Sequence, residues 1–95
     1  MRKVVPIHPG EHLAEFIEEF EITKYRLAQL THMNPQRIGA IVSGKSAITA
    51  NSAMRLGKVF GTTAQFWMNL QTRYDLEMVE INHADDIEGI ERLAA

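Results

Sequence analysis

The sequence predicts an all-α fold of five helices with a helical extension at the C-terminus. Apolar residues recur at helical spacing, as in Leu13, Phe16, Ile17 and Phe20. Helix start and stop signals separate these stripes, with Pro, Thr or Asn at the starts and Gly at the stops. Two of the short helices are joined only by residues 31–33. Because such a turn prevents full antiparallel packing, the two helices are expected to cross steeply, as in a helix-turn-helix unit.

Helices one to three have clear starts. Helix one begins near Pro9, ahead of its apolar stripe. Thr23 can cap helix two, and Asn34 can cap helix three, whose first position is Pro35. Gly44 supplies a C-terminal stop for helix three. The residues expected to face inward from helices two and three are Leu27, Ala28, Leu30, Ile38, Ile41 and Val42.

Helices four and five repeat this pattern. Thr49 or Asn51 opens helix four, Gly61 ends it, and Thr63 opens helix five. The apolar stripes of the two helices consist of Met54, Leu56, Val59, Phe60, Phe66, Trp67, Leu70 and Tyr74.

The chain is expected to divide near residue 80. Residues 1–80 form the helix-turn-helix domain, including a dimerisation helix, and residues 81–95 form an acidic tail with a short helix. In that tail, Asp85 and Glu88 form a capping box ahead of Ile90.

Composition favours one small soluble domain in a reducing cytoplasm. The chain has 95 residues and no Cys, which excludes disulfides and thiolate metal sites. No stretch approaches the ~20 apolar residues of a membrane span. We therefore expect a cytoplasmic location, no membrane partner and no cofactor.

Charge is distributed very unevenly. No Asp or Glu occurs in residues 22–74, a block that contains seven Lys and Arg residues, whereas five acids precede it and seven follow it. A surface that meets phosphate needs cations without carboxylates, which would repel the ligand. The block therefore favours nucleic acid as a partner, although scattered cations on solvated helix faces are the ordinary alternative.

The predicted helix three suits base recognition. In a helix-turn-helix unit the second helix lies in the major groove of DNA. With Ile38, Ile41 and Val42 inside, its outer face is left to other residues. Arg37 can bind guanine bidentately and Gln36 can pair with adenine. The predicted DNA contacts are Thr23, Lys24, Asn34, Gln36, Arg37, Ala40, Ser43, Lys45 and Ser46.

Helix five is the predicted dimer interface, because one small domain reads too few base pairs for tight specific binding. Phe66 and Leu70 also suit the core, whereas Trp67 and Tyr74 have polar tips that suit a partly exposed contact. The interface is assigned to these four residues.

Several segments resemble a known family. Residues 22–28 and 33–45 resemble the lambda-repressor-like (XRE) helix-turn-helix. Residues 8–11, 44–49 and 66–76 resemble, more specifically, the HigA (VapI-like) antitoxins. The resemblance implies a DNA-binding antitoxin of a type II toxin–antitoxin system. Such a protein binds its operator as a homodimer, represses its own operon and neutralises a toxin.

The same resemblance implies a toxin similar to a small basic ribonuclease. The acids at both ends of the chain suit such a partner, but they are equally explained by solubility. A stand-alone transcriptional regulator without a toxin is the alternative function. One departure from the family lies in the turn, where Thr31 and His32 stand in place of the Gly of many members, so a non-Gly residue is expected in a strained conformation.

Two motifs suggest a small enzyme instead, and both are weak. Residues 39–46 match the phosphate-loop pattern G-x-x-x-x-G-K-[ST], but a helix start precedes them where a strand is needed. Residues 8–12 match H-x-x-E-H, but Pro9 argues that the helix begins between the two His residues. We expect no catalytic residue and no metal site.

Overall fold

The computed structural model describes residues 5–94, which form six α-helices and contain no strand. The helices are α1 (Pro9–Glu19), α2 (Lys24–Thr31), α3 (Pro35–Val42), α4 (Ala50–Phe60), α5 (Ala64–Asn82) and α6 (Ala84–Glu88). The predicted all-α architecture is confirmed, with α6 as the C-terminal extension.

The helix starts follow the predicted caps. The side chains of Thr23, Asn34 and Thr63 each accept a hydrogen bond from a backbone N–H in the next helix, at 2.9, 2.8 and 3.0 Å. Thr49 caps α4 and forms a reciprocal capping box with Ser52. Each such cap stabilises its helix by about 1 kcal/mol. Local sequence therefore sets where α2 to α5 begin.

Leu30, Met54 and Phe20 were expected to face inward and are exposed instead, with Phe20 49% exposed just past the end of α1. Leu30 is 44% exposed and Met54 is 66% exposed. Each lies about 100° around its helix from the centre of the buried face. The wholly buried side chains include Leu13, Leu27, Ile38, Ile41, Leu56 and Trp67.

Helix α1 supports α3 through an unusually close approach. A Cβ atom on Gly10 would overlap the carbonyl oxygen of Ile41. Only glycine therefore allows the first turn of α1 to rest on the last turn of α3. This contact fixes the buried side of α3 and leaves its opposite side to solvent.

The predicted capping box in the tail is wrong. Helix α6 follows His83 at its N-terminus and has no side-chain cap, and it ends before Ile90. Asp85 and Glu88 both lie within the helix, so Asp85 cannot cap its start. Among the described residues, no helix combines the length and hydropathy needed to cross a lipid bilayer.

Candidate nucleic-acid interface

The turn between α2 and α3 is built on a left-handed residue. His32 ends α2 with φ 58° and ψ 36°. Its backbone N–H donates back to the last turn of α2, and the N–H of Met33 donates to the carbonyl of Ala28 at 3.0 Å. The predicted non-Gly residue in a strained conformation is confirmed. His tolerates this region better than β-branched residues do, although Gly has no penalty there.

A side chain from α4 holds this turn in place. The Arg55 guanidinium donates from Nη1 to the carbonyl of Thr31 at 2.9 Å and from Nε to Asn51 Oδ1 at 2.7 Å. A second carbonyl, that of His32, lies 3.4 Å from the same Nη1. The positive charge therefore meets the negative end of the α2 dipole. Sequence reasoning missed this role, because the partners are 23 and 24 positions apart.

The outer face of α3 consists of the side chains that elimination assigned to it. Gln36, Arg37 and Ser43 are exposed, and Ala40 is partly exposed. The opposite side of the helix is buried through Ile38 and Ile41. The four outward residues thus lie on one surface. Thr23 and Lys24, at the start of α2, are also exposed.

Arg37 leans toward α4. Its Nη2 donates to Thr49 Oγ1 at 3.3 Å, and both groups are exposed. Together with Asn34 and Arg55 they line a hollow of about 380 Å³. A contact this long at an exposed site is weak, so the guanidinium can leave Thr49 for an acceptor on a ligand.

The loop after α3 is anchored from behind by α5. Gln71 is buried, and its Oε1 accepts a hydrogen bond from the backbone N–H of Ile48 at 2.7 Å. Its Nε2 donates to Asp75 Oδ1 at 2.8 Å. The loop carries Lys45, which is exposed, and Ser46, which is partly exposed. No local sequence signal points to Gln71, whose partner lies 23 positions away.

The cations of the acid-free block stay available. Within residues 5–94, the only Lys or Arg that pairs with a carboxylate is Arg73, at 3.4 Å from Glu77. The His83 Nδ1 atom lies 3.5 Å from Asp86 Oδ2. In that part of the chain the cations without an ion pair are therefore Lys24, Arg26, Arg37, Lys45, Arg55, Lys58 and Arg92. All but the last belong to the acid-free block, and six cations without a carboxylate partner suit a polyanionic ligand.

The two motifs that suggested an enzyme have different structural roles. Residues 39–46 begin inside α3, and no strand precedes them among the described residues. His8 caps α1, and its Nδ1 accepts a hydrogen bond from the backbone N–H of Gly10 at 2.9 Å. The His8 ring also packs edge-on against Tyr74, with centroids 4.9 Å apart. His8 therefore lies before α1 rather than one turn from His12 on the same helix face.

The predicted dimer contact of Trp67 is wrong. Its side chain is 0% exposed, and its Nε1 donates to Thr62 Oγ1 at 2.9 Å. The rings of Phe16 and Phe60 lie against it, with centroids 5.0 and 6.0 Å away. The indole N–H therefore has its partner within the domain, and Trp67 has no surface left for a second copy.

The other three predicted dimer residues are accessible in part. Phe66 is 37% exposed, and Leu70 and Tyr74 are partly buried. The buried face of α5 runs through Trp67 and Gln71, so Phe66 and Leu70 lie at its edge.

Beside Leu70 the surface forms a shallow hollow of about 140 Å³, which includes Ile7, Arg73 and Glu77. Ile7 is exposed, and farther along α5 so is Ile81. A surface of mixed apolar and polar side chains, including His12 and the Arg73–Glu77 ion pair, thus lies on the side of α5 next to the segment that precedes α1.

Comparison with known proteins places this geometry in a family. The helix-turn-helix family matches residues 13–67. Virulence-associated protein I of Dichelobacter nodosus is 45% identical over 75 residues, which cover 78% of this chain and 69% of that protein.

Two solved structures share the whole architecture. One is an addiction module antidote protein of the HigA family from Coxiella burnetii, with a TM-score of 0.90 and 40% identity, covering 94% of this chain and 99% of that one. The other is the Pseudomonas aeruginosa antitoxin HigA with the higBA promoter, with a TM-score of 0.88 and 42% identity over the same shares of both chains. The likeness to both extends beyond the helix-turn-helix into α5.

Proposed function

Because the chain belongs to the helix-turn-helix family and is similar to HigA antitoxins over 94% of its length, we propose that it is a sequence-specific DNA-binding antitoxin. It binds its operator as a homodimer in the cytoplasm, represses its own operon and neutralises a ribonuclease-type toxin. The observation that carries the DNA-binding part is the exposed outer face of α3, next to cations that have no carboxylate partner within residues 5–94.

Helix α3 enters the major groove of the operator. There Arg37 binds guanine bidentately through two of its guanidinium N–H groups, and Gln36 binds adenine with its amide. Ala40 lets the helix approach closely or contacts a thymine methyl group. Ser43 lies one turn further along the same surface. These four side chains read sequence, and the rest of the interface fixes the position of the helix.

Phosphate contacts surround that helix. Lys24 and Thr23 lie at the start of α2, where the backbone N–H groups and the positive end of the dipole favour an anion. Asn34 lies at the start of α3, and Lys45 and Ser46 follow its end. Each phosphate contact adds about −0.9 to the slope of log affinity against log salt concentration.

Two such domains are needed to read an operator. In helix-turn-helix dimers the half-sites lie about 34 Å apart, or one turn of DNA. The hollow beside Leu70 supports a dimer contact there, with Ile7 and Ile81 as apolar neighbours. Of the residues predicted from sequence, Phe66, Leu70 and Tyr74 remain candidates for this interface.

The acids of α1 support a basic protein partner. Glu15, Glu18 and Glu19 are exposed, and none has an ion-pair partner among residues 5–94. Glu18 and Glu19 lie at the C-terminal end of α1, where the helix dipole disfavours negative charge. A cationic toxin surface would pair with these carboxylates and offset their unfavourable interaction with the helix dipole.

Operator binding is tested with DNA from upstream of the protein's own coding sequence. Fluorescence anisotropy should show affinity for this DNA at least about 10³-fold above that for a scrambled duplex. Equal affinity for both duplexes at the same salt concentration would contradict sequence-specific binding.

The toxin is tested by co-expression with the adjacent open reading frame and purification through a tag on this chain. Co-purification of a small basic protein, together with loss of its ribonuclease activity in the complex, supports the antitoxin. If no product co-purifies while operator binding persists, the chain is a stand-alone regulator.

A further inference from the structure

An open groove lies between α2 and α4, on the far side of Arg55 from the hollow near Arg37. It has a volume of about 590 Å³, and its apolar side chains are Leu30, Met54 and Val59. Leu30 and Met54 were expected inside the domain but are exposed. Exposed apolar side chains that share one groove indicate an interaction site.

The charges of this groove restrict what can occupy it. Arg55 and Lys58 line it together with the apolar side chains, and no Asp or Glu occurs in residues 22–74. A basic partner would be repelled. The groove therefore selects a segment that combines apolar side chains with carboxylates.

The C-terminal tail of the same chain has this composition. Ile87, Ile90 and Leu93 recur every third residue, and all three are exposed. Four carboxylates lie among them, and none of the four pairs with a Lys or Arg within the described residues, although Asp86 lies 3.5 Å from His83. Every described residue from 84 onward is exposed. The four carboxylates are those of Asp85, Asp86, Glu88 and Glu91.

We propose that this tail docks into the groove of a second copy of the chain. Ile87 and Ile90 then cover Leu30 and Met54, and the carboxylates meet Arg55 and Lys58. The groove and the tail complement each other in two respects. Both present apolar side chains that can pack together, and the cations of the groove face the carboxylates of the tail.

The direction of α5 favours the groove of another copy over the groove of the same chain. Helix α5 packs antiparallel to α4, since Trp67 lies against Phe60 while Gln71 bonds to Ile48, just before α4 begins. From Gln71 the helix continues to Asn82, about 16 Å further at 1.5 Å per residue. It thus carries the tail past the N-terminal end of α4, whereas the groove extends along α4 toward Val59.

The absence of native cysteine makes cross-linking a specific test. The single variants Met54→Cys and Ile90→Cys are mixed in equal amounts without DNA and oxidised mildly, and mixed disulfides are quantified by mass spectrometry. Tyr25→Cys replaces Met54→Cys in the control, because Tyr25 is 63% exposed on α2 but does not line the groove. Circular dichroism confirms that each variant folds.

The proposal expects the mixed disulfide to form with Met54→Cys and only in traces with Tyr25→Cys. Equal yields for the two variants, or no mixed disulfide, would overturn it. The double variant Met54→Cys/Ile90→Cys is oxidised at high dilution, and a disulfide within a single chain would show that the groove holds its own tail.

A second arm tests the charges. The four tail carboxylates are neutralised in the Ile90→Cys variant, which is again mixed with Met54→Cys. The substitutions are Asp85→Asn, Asp86→Asn, Glu88→Gln and Glu91→Gln. The cross-link should then be lost at low salt, and an unchanged yield would remove the carboxylates from the proposal. Because no arm contains DNA, failure here is distinct from failure of operator binding.

Discussion

Two regions of this small domain are held together in different ways. We call α2, its turn, α3 and the following loop, residues 23–49, the recognition unit. We call the five rings of Phe16, Phe20, Phe60, Phe66 and Trp67 the aromatic layer. The aromatic layer joins α1, α4 and α5 by apolar packing, with Phe16 5.0 Å from both Phe60 and Trp67.

The recognition unit packs on the same apolar core through Leu27, Ile38 and Ile41, but its turn and its loop are also held by polar side chains from outside it. Arg55 on α4 bonds the end of α2, and Gln71 on α5 bonds the loop after α3. Both accept or donate at backbone groups, so they position the chain without using the side chains that face outward. Burial of Phe60 and Trp67, together with the apolar core that both regions share, therefore supplies stability, while directional hydrogen bonds set the positions of the turn and the loop beside the outer face of α3.

The largest expected effect lies in the aromatic layer. Trp67→Ala removes a wholly buried ring and should lower the free energy of unfolding by about 3–5 kcal/mol. Urea denaturation followed by circular dichroism measures it. Phe66→Ala, on the exposed neighbour, is the matched control and should cost clearly less. Similar losses at both positions would contradict the burial of Trp67.

The junction between the two regions is tested at Gln71. Gln71→Leu leaves the Ile48 N–H buried without its partner, which should cost about 1–3 kcal/mol of unfolding free energy. Because the loop with Lys45 is then less well held, affinity for all DNA should also fall. Thr72→Ala, on the exposed next position, is the control for both urea denaturation and anisotropy. If Gln71→Leu lowers neither quantity, the loop is held by other contacts.

The recognition unit should show effects on binding with little effect on stability. Arg37→Ala should cost about 1–3 kcal/mol of binding free energy at one operator position and relax specificity there. Lys24→Ala should weaken binding to every sequence alike and reduce the salt slope by about 1. Gel-shift titrations on operator and scrambled DNA compare the two variants. Equal losses on both duplexes for Arg37→Ala would remove its base-reading role.

The smallest expected effect has the opposite sign. His32→Gly relieves a left-handed residue of its Cβ strain, which is larger than the entropy that Gly adds to the unfolded chain. The free energy of unfolding should rise by about 0.5 kcal/mol, a balance of those two terms. Ala at the same position serves as the control, because it keeps the Cβ atom. A loss of stability with Gly would show that the imidazole makes a contact that matters more than the strain.

The helix starts and the recognition surface were the parts that sequence could predict. Thr23, Asn34 and Thr63 cap through residues two or three positions away, so local sequence contains the whole interaction. The exposed position of Gln36 and Arg37 followed from the apolar residues between them and the end of α3. Whether these residues read bases stays a prediction, since exposure alone does not identify a ligand.

The errors arose where the neighbouring elements decide which face of a helix is buried. Trp67 has a polar tip that suits an interface, but Thr62 supplies a partner within the domain. Leu30 and Met54 continue apolar patterns, yet each lies at the side of its helix that nothing in residues 5–94 covers. In the tail, a capping pattern was present but α6 begins one residue before it.

By itself the sequence determined the all-α class, the boundaries of the principal helices and an acid-free block from residue 22 to residue 74. These depend on neighbours along the chain or on composition, so they need no knowledge of packing. Only the tertiary structure decided that Trp67 is core, that Arg55 and Gln71 anchor the recognition unit, and that an apolar groove stays open beside it. There are two reasons. The contacts of Arg55 and Gln71 join residues more than 20 positions apart, whereas the burial of Trp67 and the open groove depend on which helix faces are covered. Both are decided only when the helices pack.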